Sequence, residues 1–108
     1  MIIIDIFTDR AGFITGYQAA GHAEDAPQGS SIVCAWVSAV TQMALIGLEQ
    51  QLKHPLAYTT DETKGLLRVQ LKAAPTARTQ DLLYSMELTL AQLAQDQPGE
   101  ITLNKHRG

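Results

Sequence analysis

The chain has 108 residues, of which 45% are hydrophobic, enough to bury one modest core and too few for two. With 11 acidic and 8 basic side chains the net charge is −3 and no two Lys or Arg residues are adjacent, which argues against nucleic acid as a partner and permits a basic polypeptide one. Cys34 is the one cysteine, so an intrachain disulfide and an all-cysteine zinc site are excluded and a reduced compartment fits best.

The first residues, Met1-Ile2-Ile3-Ile4-Asp5, lack a basic segment and a long apolar run, so a cytoplasmic location is expected. Ile2, Ile4 and Ile6 fall on one face of an opening strand. Asp9 to Gly12 supplies turn chemistry, and a second strand follows from Phe13 to about Ala20. Gly21 to Ser31, with Gly21, Pro27, Gly29 and two serines, reads as an irregular loop. Ser30 or Ser31 is a good N-cap for a helix running to about Lys53, where His54-Pro55 stops it.

That helix is apolar around much of its circumference, which places it in the centre of the core with Trp36 as a core residue. Its apolar stretch, Ile32 to Leu48, falls short of the roughly 20 residues needed to span a bilayer, so no membrane is expected. Leu56 to Thr60 and Leu66 to Ala73 form a second strand pair around a turn at Asp61 to Gly65, with Leu67, Val69 and Leu71 facing inward. From about Arg78 to Gln95, the spacing of Leu82, Leu83, Met86, Leu90 and Leu93 predicts an amphipathic helix, ended by Pro98-Gly99. Glu100 to Asn104 gives a last short strand, and the tail from Lys105 to Gly108 is expected to fray. The expectation is a single α+β domain over residues 1–108: a mostly antiparallel sheet with two helices packed on it, in the order ββαββαβ.

Two side chains carry candidate chemistry. A thiol becomes a nucleophile as its thiolate, and Cys34 falls in the first helical turn, where free N–H groups and the helix dipole favour negative charge. His22 ends the second strand, and the eleven intervening residues allow the two to meet at modest entropic cost. If they do, His22 takes or holds the thiol proton and later delivers it to the leaving amine, while Cys34 forms the acyl-enzyme. The N–H of Cys34, or of a neighbour at the helix start, is then a candidate oxyanion donor.

Gly21 and Gly29 would let a substrate backbone approach closely. Ser38, one turn beyond Cys34, either bonds back to its own helix or helps to position the site. No third member is assigned, although Glu24 and Asp25 lie close in sequence. On chemistry alone a lone cysteine in an apolar helix is more often an inert core residue. A metal site drawing on His22, Cys34 and His54 or His106 ranks last, since no close ligand pair exists; neither metal nor cofactor is expected.

Gly21-His22-Ala23, then Gly29, then Ile32-Val33-Cys34-Ala35-Trp36-Val37-Ser38 resembles the signature of the bacterial ribosomal-processing cysteine protease family. The order of elements is similar over essentially the whole chain. By position, His22 matches that family's catalytic histidine and Cys34 its nucleophile. The resemblance implies a homodimeric endopeptidase with a mobile loop between the two residues. It also implies removal of the N-terminal extension from the precursor of large-subunit ribosomal protein twenty-seven, by cutting after a short aromatic-containing motif. The alternative is a ribosome-associated module that holds such a peptide without cutting it.

One position departs from the family. It usually has an aspartate directly before Ile-Val-Cys, where this chain has Ser31, which caps a helix but carries no charge to orient an imidazolium or anchor the loop. Reduced activity, a shifted pH optimum or compensation by an acid such as Asp25 are the consequences that this opens.

Overall fold

The computed structural model describes residues 1–22 and 31–108. Its elements follow the expected order: β1 (Ile2–Thr8), β2 (Ile14–Gly21), α1 (Ile32–Ile46), β3 (Leu56–Asp61), β4 (Leu66–Leu71), α2 (Ala77–Asp96) and β5 (Ile101–Arg107). The strands form one sheet in the order β3-β4-β2-β1-β5. Every neighbouring pair is antiparallel except β1 with β5, which is parallel. This is the expected α+β arrangement with a mostly antiparallel sheet.

Alternation, shifted in β2 by one irregularity between Ile14 and Gly16, decides which face of the sheet is covered. Ile2, Ile4 and Ile6 of β1, Ile14, Tyr17 and Ala19 of β2, and Leu67, Val69 and Leu71 of β4 are buried. They join Val33, Val37 and Ala44 of α1 and Leu83, Met86 and Leu90 of α2 in one core. Two polar side chains tie helix to sheet inside it. The Tyr17 hydroxyl donates to the Thr41 carbonyl of α1 at 2.7 Å, which satisfies a phenol that otherwise could not be buried. Gln80 of α2 does the same twice for Ile14, accepting from its N–H at 2.7 Å and donating to its carbonyl at 2.9 Å. The start of β2 thus gains from a side chain the backbone bonds that it lacks from a strand.

Three expectations are corrected. The tail does not fray: β5 runs to Arg107 because its parallel register with β1 continues through Ile6↔Lys105, Phe7↔His106 and Thr8↔Arg107. Its polar side chains find partners at Glu87, at Asp5 and at the Arg10 carbonyl. Nor does α1 lie in the centre of the core. It covers the sheet with Val33, Val37, Thr41 and Ala44, while Ile32, Met43 and Ile46 face outward. Trp36 is 42% exposed and belongs to this outer stripe rather than to the core.

The third correction concerns length. A π-helical turn, Gly47–Gln51, continues α1, with the Leu52 N–H bonding the Gly47 carbonyl. The joined helix, Ile32–Gln51, has 20 residues and is long and apolar enough to cross a membrane by length and composition alone. Here it is the helix that packs against the sheet.

Buried hydrogen bonds are expensive to orphan, so Gln80→Ala, which leaves the Ile14 N–H and carbonyl without their partner, is expected to lower unfolding stability by about 2 kcal/mol. Urea denaturation followed by circular dichroism measures this, and an unchanged midpoint would mean that Ile14 is satisfied by other means. Burial drives the Tyr17 phenol far above its ordinary range. The unfolded chain therefore loses that proton first as pH rises past about 10, so stability falls with increasing alkalinity, and Tyr17→Phe is expected to flatten that fall.

Candidate active site

β2 ends where three segments converge. Gly21 pairs with Ile2 of β1, and on its other side its N–H donates to the Lys64 carbonyl in the β3–β4 turn at 3.0 Å. Gly21 has φ +100°, and a Cβ there would fall on the Met1 carbonyl, so no other residue fits this close three-way approach without displacing backbone. Gly21, expected from the sequence to admit a substrate backbone, is required here by the packing between strands. His22 follows immediately. Its carbonyl accepts from the Met1 ammonium at 2.7 Å, and its ring Nε2 lies 3.4 Å from the Thr63 carbonyl oxygen.

Across the cleft, α1 begins at Ile32 with Ser31 as its N-cap, which decides between the two candidate caps. The Ser31 backbone is extended, with φ −72° and ψ 126°, and its Oγ accepts from the Cys34 N–H at 3.1 Å. Cys34 is therefore the third helical residue, on the first turn as the sequence implied, and half-buried. No acidic side chain occupies that turn. Gly29, Glu24 and Asp25, with the rest of residues 23–30, lie outside the described residues.

His22 and Cys34 line the same cleft, about 440 Å³ in volume. Its floor and walls are largely apolar, from Ile2, Ala19, Val37, Leu45, Leu66 and Leu67, with Asp61 and Glu62 at one side. A pocket of this size with an apolar lining and a few polar groups suits one or two side chains of a peptide. Ser38 also lines it. Its Oγ accepts from Gln42 Nε2 at 2.7 Å, so Ser38 bonds within its own helix face and presents that pair to the cleft.

The residues considered for a metal are not gathered here. His54 Nε2 lies 3.2 Å from the Ala73 carbonyl, and His106 Nε2 lies 2.7 Å from Asp5 Oδ1; neither lines the cleft. Among the described residues, no group of three or more His, Cys, Asp or Glu side chains could hold a metal ion.

Sequence reasoning did not single out Thr63 and Gly65 as site residues. Both belong to the β3–β4 turn and reach His22 through a backbone carbonyl, which leaves no mark on residue type, and a missing side chain, which does. The one available signal was the glycine closing a predicted turn.

Comparison with known proteins is consistent over nearly the full length. Residues 1–102 match the family described as cysteine protease Prp. The crystal structure of an essential ribosomal processing protease Prp from Staphylococcus aureus, in complex with a covalently linked product peptide, superposes with a TM-score of 0.90 at 25% identity, covering 97% of this chain and 99% of that one. The same protease in complex with a substrate peptide gives 0.86 at 24% identity, with coverage of 97% and 99%. A Streptococcus mutans protein gives 0.87 at 23% identity, covering 100% of this chain and 96% of that one. No curated protein matches the chain by sequence.

Ser31→Ala is expected to cost about 1 kcal/mol of stability through loss of the cap, whereas Ser31→Asp, which caps equally well, is expected to stay within a few tenths of wild type. Thermal melts of the three proteins measure this. A Ser31→Asp variant as unstable as Ser31→Ala would show that position 31 does not act as the cap.

Proposed function

The chain belongs to the cysteine protease Prp family, and from that premise we propose that Cys34 is the nucleophile of a peptide hydrolysis in which His22 is the proton carrier. The observation that carries this reading is that the two side chains, from opposite ends of the 22–34 connection, line one cleft. The proton moves from the thiol to the imidazole, and the thiolate attacks the scissile carbonyl to form a tetrahedral oxyanion. The oxyanion collapses as the leaving amine takes the proton from the imidazolium. Water, deprotonated by the same imidazole, then releases the acyl group from Cys34.

The Cys34 N–H is directed at Ser31 Oγ, so a neighbouring N–H at the start of α1 is the better candidate for the oxyanion donor. A serine here, in place of the aspartate usual in the family, leaves the first turn without a carboxylate. Ser31 therefore supplies the cap without a charge that could orient the His22 ring.

The proposed substrate is the precursor of large-subunit ribosomal protein twenty-seven, cut at its N-terminal extension in the cytoplasm. The Staphylococcus aureus relative is a ribosomal processing protease, and the apolar cleft suits an aromatic side chain beside the scissile bond. A homodimer is proposed with it. The outward stripe of Ile32, Trp36, Met43 and Ile46 on α1 is a surface that a second copy would cover. Residues 1–108 are taken to form one domain.

Cys34→Ala and His22→Ala are each expected to reduce cleavage of a peptide spanning the extension junction to background while leaving the melting temperature within a few degrees of wild type. Liquid chromatography of the digests measures this. Turnover by either variant would remove that residue from the mechanism, and tight binding of an uncut peptide by wild type would indicate a holding rather than a cutting role.

A further inference from the structure

The β3–β4 turn touches the candidate base. Three contacts from that turn converge on Gly21 and His22. The Lys64 carbonyl accepts from the Gly21 N–H at 3.0 Å and so fixes the backbone that bears the ring. The Thr63 carbonyl lies 3.4 Å from Nε2. Gly65, at φ +58°, sits so close that an added Cβ would stand 2.9 Å from Cε1 and 3.2 Å from Nδ1 of the ring, and 2.5 Å from the Gly21 carbonyl. The turn itself is braced, with the Gly65 N–H bonding the Glu62 carbonyl at 3.2 Å and the Lys64 N–H bonding Asp61 Oδ1 at 3.3 Å.

A carbonyl oxygen only accepts, so a hydrogen bond to Thr63 requires the proton on Nε2. The neutral ring then carries its lone pair on Nδ1, the atom beside which Gly65 places no side chain. A cysteine–histidine pair needs a base whose second nitrogen is held by a third group, so that tautomer and ring angle are set before the thiol proton arrives. When the ring becomes an imidazolium, the Nε2–H bond to Thr63 persists and strengthens, because its donor is now charged.

We propose that the Asp61–Gly65 turn is the positioning element for His22: the Thr63 carbonyl holds the Nε2–H tautomer, and the missing side chain at Gly65 keeps Nδ1 open to the Cys34 thiol. Resting on the reading of Cys34 and His22 as a pair, this adds the third partner that no acidic residue was assigned to provide. Thr63 and Gly65 act through the ring, and Gly65 also lines the cleft.

Long-range proton–nitrogen NMR of the full chain, with the His22 signals assigned by their loss in His22→Ala, reads the tautomer without any cleavage. Nε2–H is expected as the main neutral form, and Nδ1–H would overturn the proposal. In peptide cleavage, Gly65→Ala and Gly65→Asn are expected to lose about tenfold to a hundredfold in kcat with KM changed by no more than about twofold. Asparagine tolerates positive φ, so a loss shared by both variants reports the added Cβ rather than backbone strain.

Gly12→Ala, at φ +93° with nothing within 4 Å of the added carbon, is the control and is expected to keep wild-type kcat. Wild-type kcat in Gly65→Asn would overturn the role of Gly65. If neither Gly65 variant folds, the tautomer in the wild-type chain decides. Failure of the underlying pair would show differently, as turnover by His22→Ala, whichever tautomer is found.

Discussion

Everything in the candidate site depends on how the last residue of β2 is held. A strand that ends at a sheet margin normally frays into solvent. Here Gly21 is fixed by β1 on one side and by the Lys64 carbonyl on the other, and the next carbonyl, that of His22, is bonded by the Met1 ammonium. Only a residue without a Cβ permits so close an approach. The consequence for the proposed chemistry is that an imidazole attached to a backbone bonded from two directions has its ring origin fixed relative to the sheet. A catalytic ring needs that rigidity and a loop residue seldom has it.

The second half of the site rests on a different device. Cys34 owes its place to a helix start, and the Ser31 cap determines where that start falls. Core packing then orients the helix. Val33 and Val37 are buried against the sheet, so the residues that flank them in the helical period, Cys34 and Ser38, face the cleft. The Tyr17 hydroxyl bonded to the Thr41 carbonyl ties β2 to α1 between the two halves. His22 and Cys34 therefore belong to elements joined through the core, as well as through the connection between them. That coupling makes a site from residues that are not neighbours in any single element.

Much of this was legible in the amino-acid order. The alternation in β1 and β4, the spacing in α2 and the turn residues between them are local signals, and each element appeared within a few residues of its expected bounds. What escaped were properties set by distant partners. Lys105, His106 and Arg107 look like a solvated tail until β1 is placed beside them, and the carboxylates that satisfy Lys105 and His106 lie at Glu87 and Asp5. α1 looks fully buried because hydropathy counts apolar residues without knowing how many faces the sheet and α2 can cover; Trp36 and Met43 are left outside. At the site, the cap and the cysteine were readable because capping is local. The Thr63 carbonyl, forty-one residues from His22 in sequence, was not, since every residue has a carbonyl.

The central claim is that Cys34 attacks a carbonyl with His22 as its proton carrier. Its most direct test is a peptidyl chloromethyl ketone built on the N-terminal side of the extension junction, in which the thiolate sulfur displaces chloride from the carbon next to the carbonyl. Intact-mass and peptide mass spectrometry of the treated protein are expected to show one adduct per chain, located on Cys34 Sγ, and a much slower reaction in His22→Ala. A wild-type chain that cleaves the peptide yet remains unlabelled at Cys34, or a His22→Ala variant labelled as fast as wild type, would contradict the account.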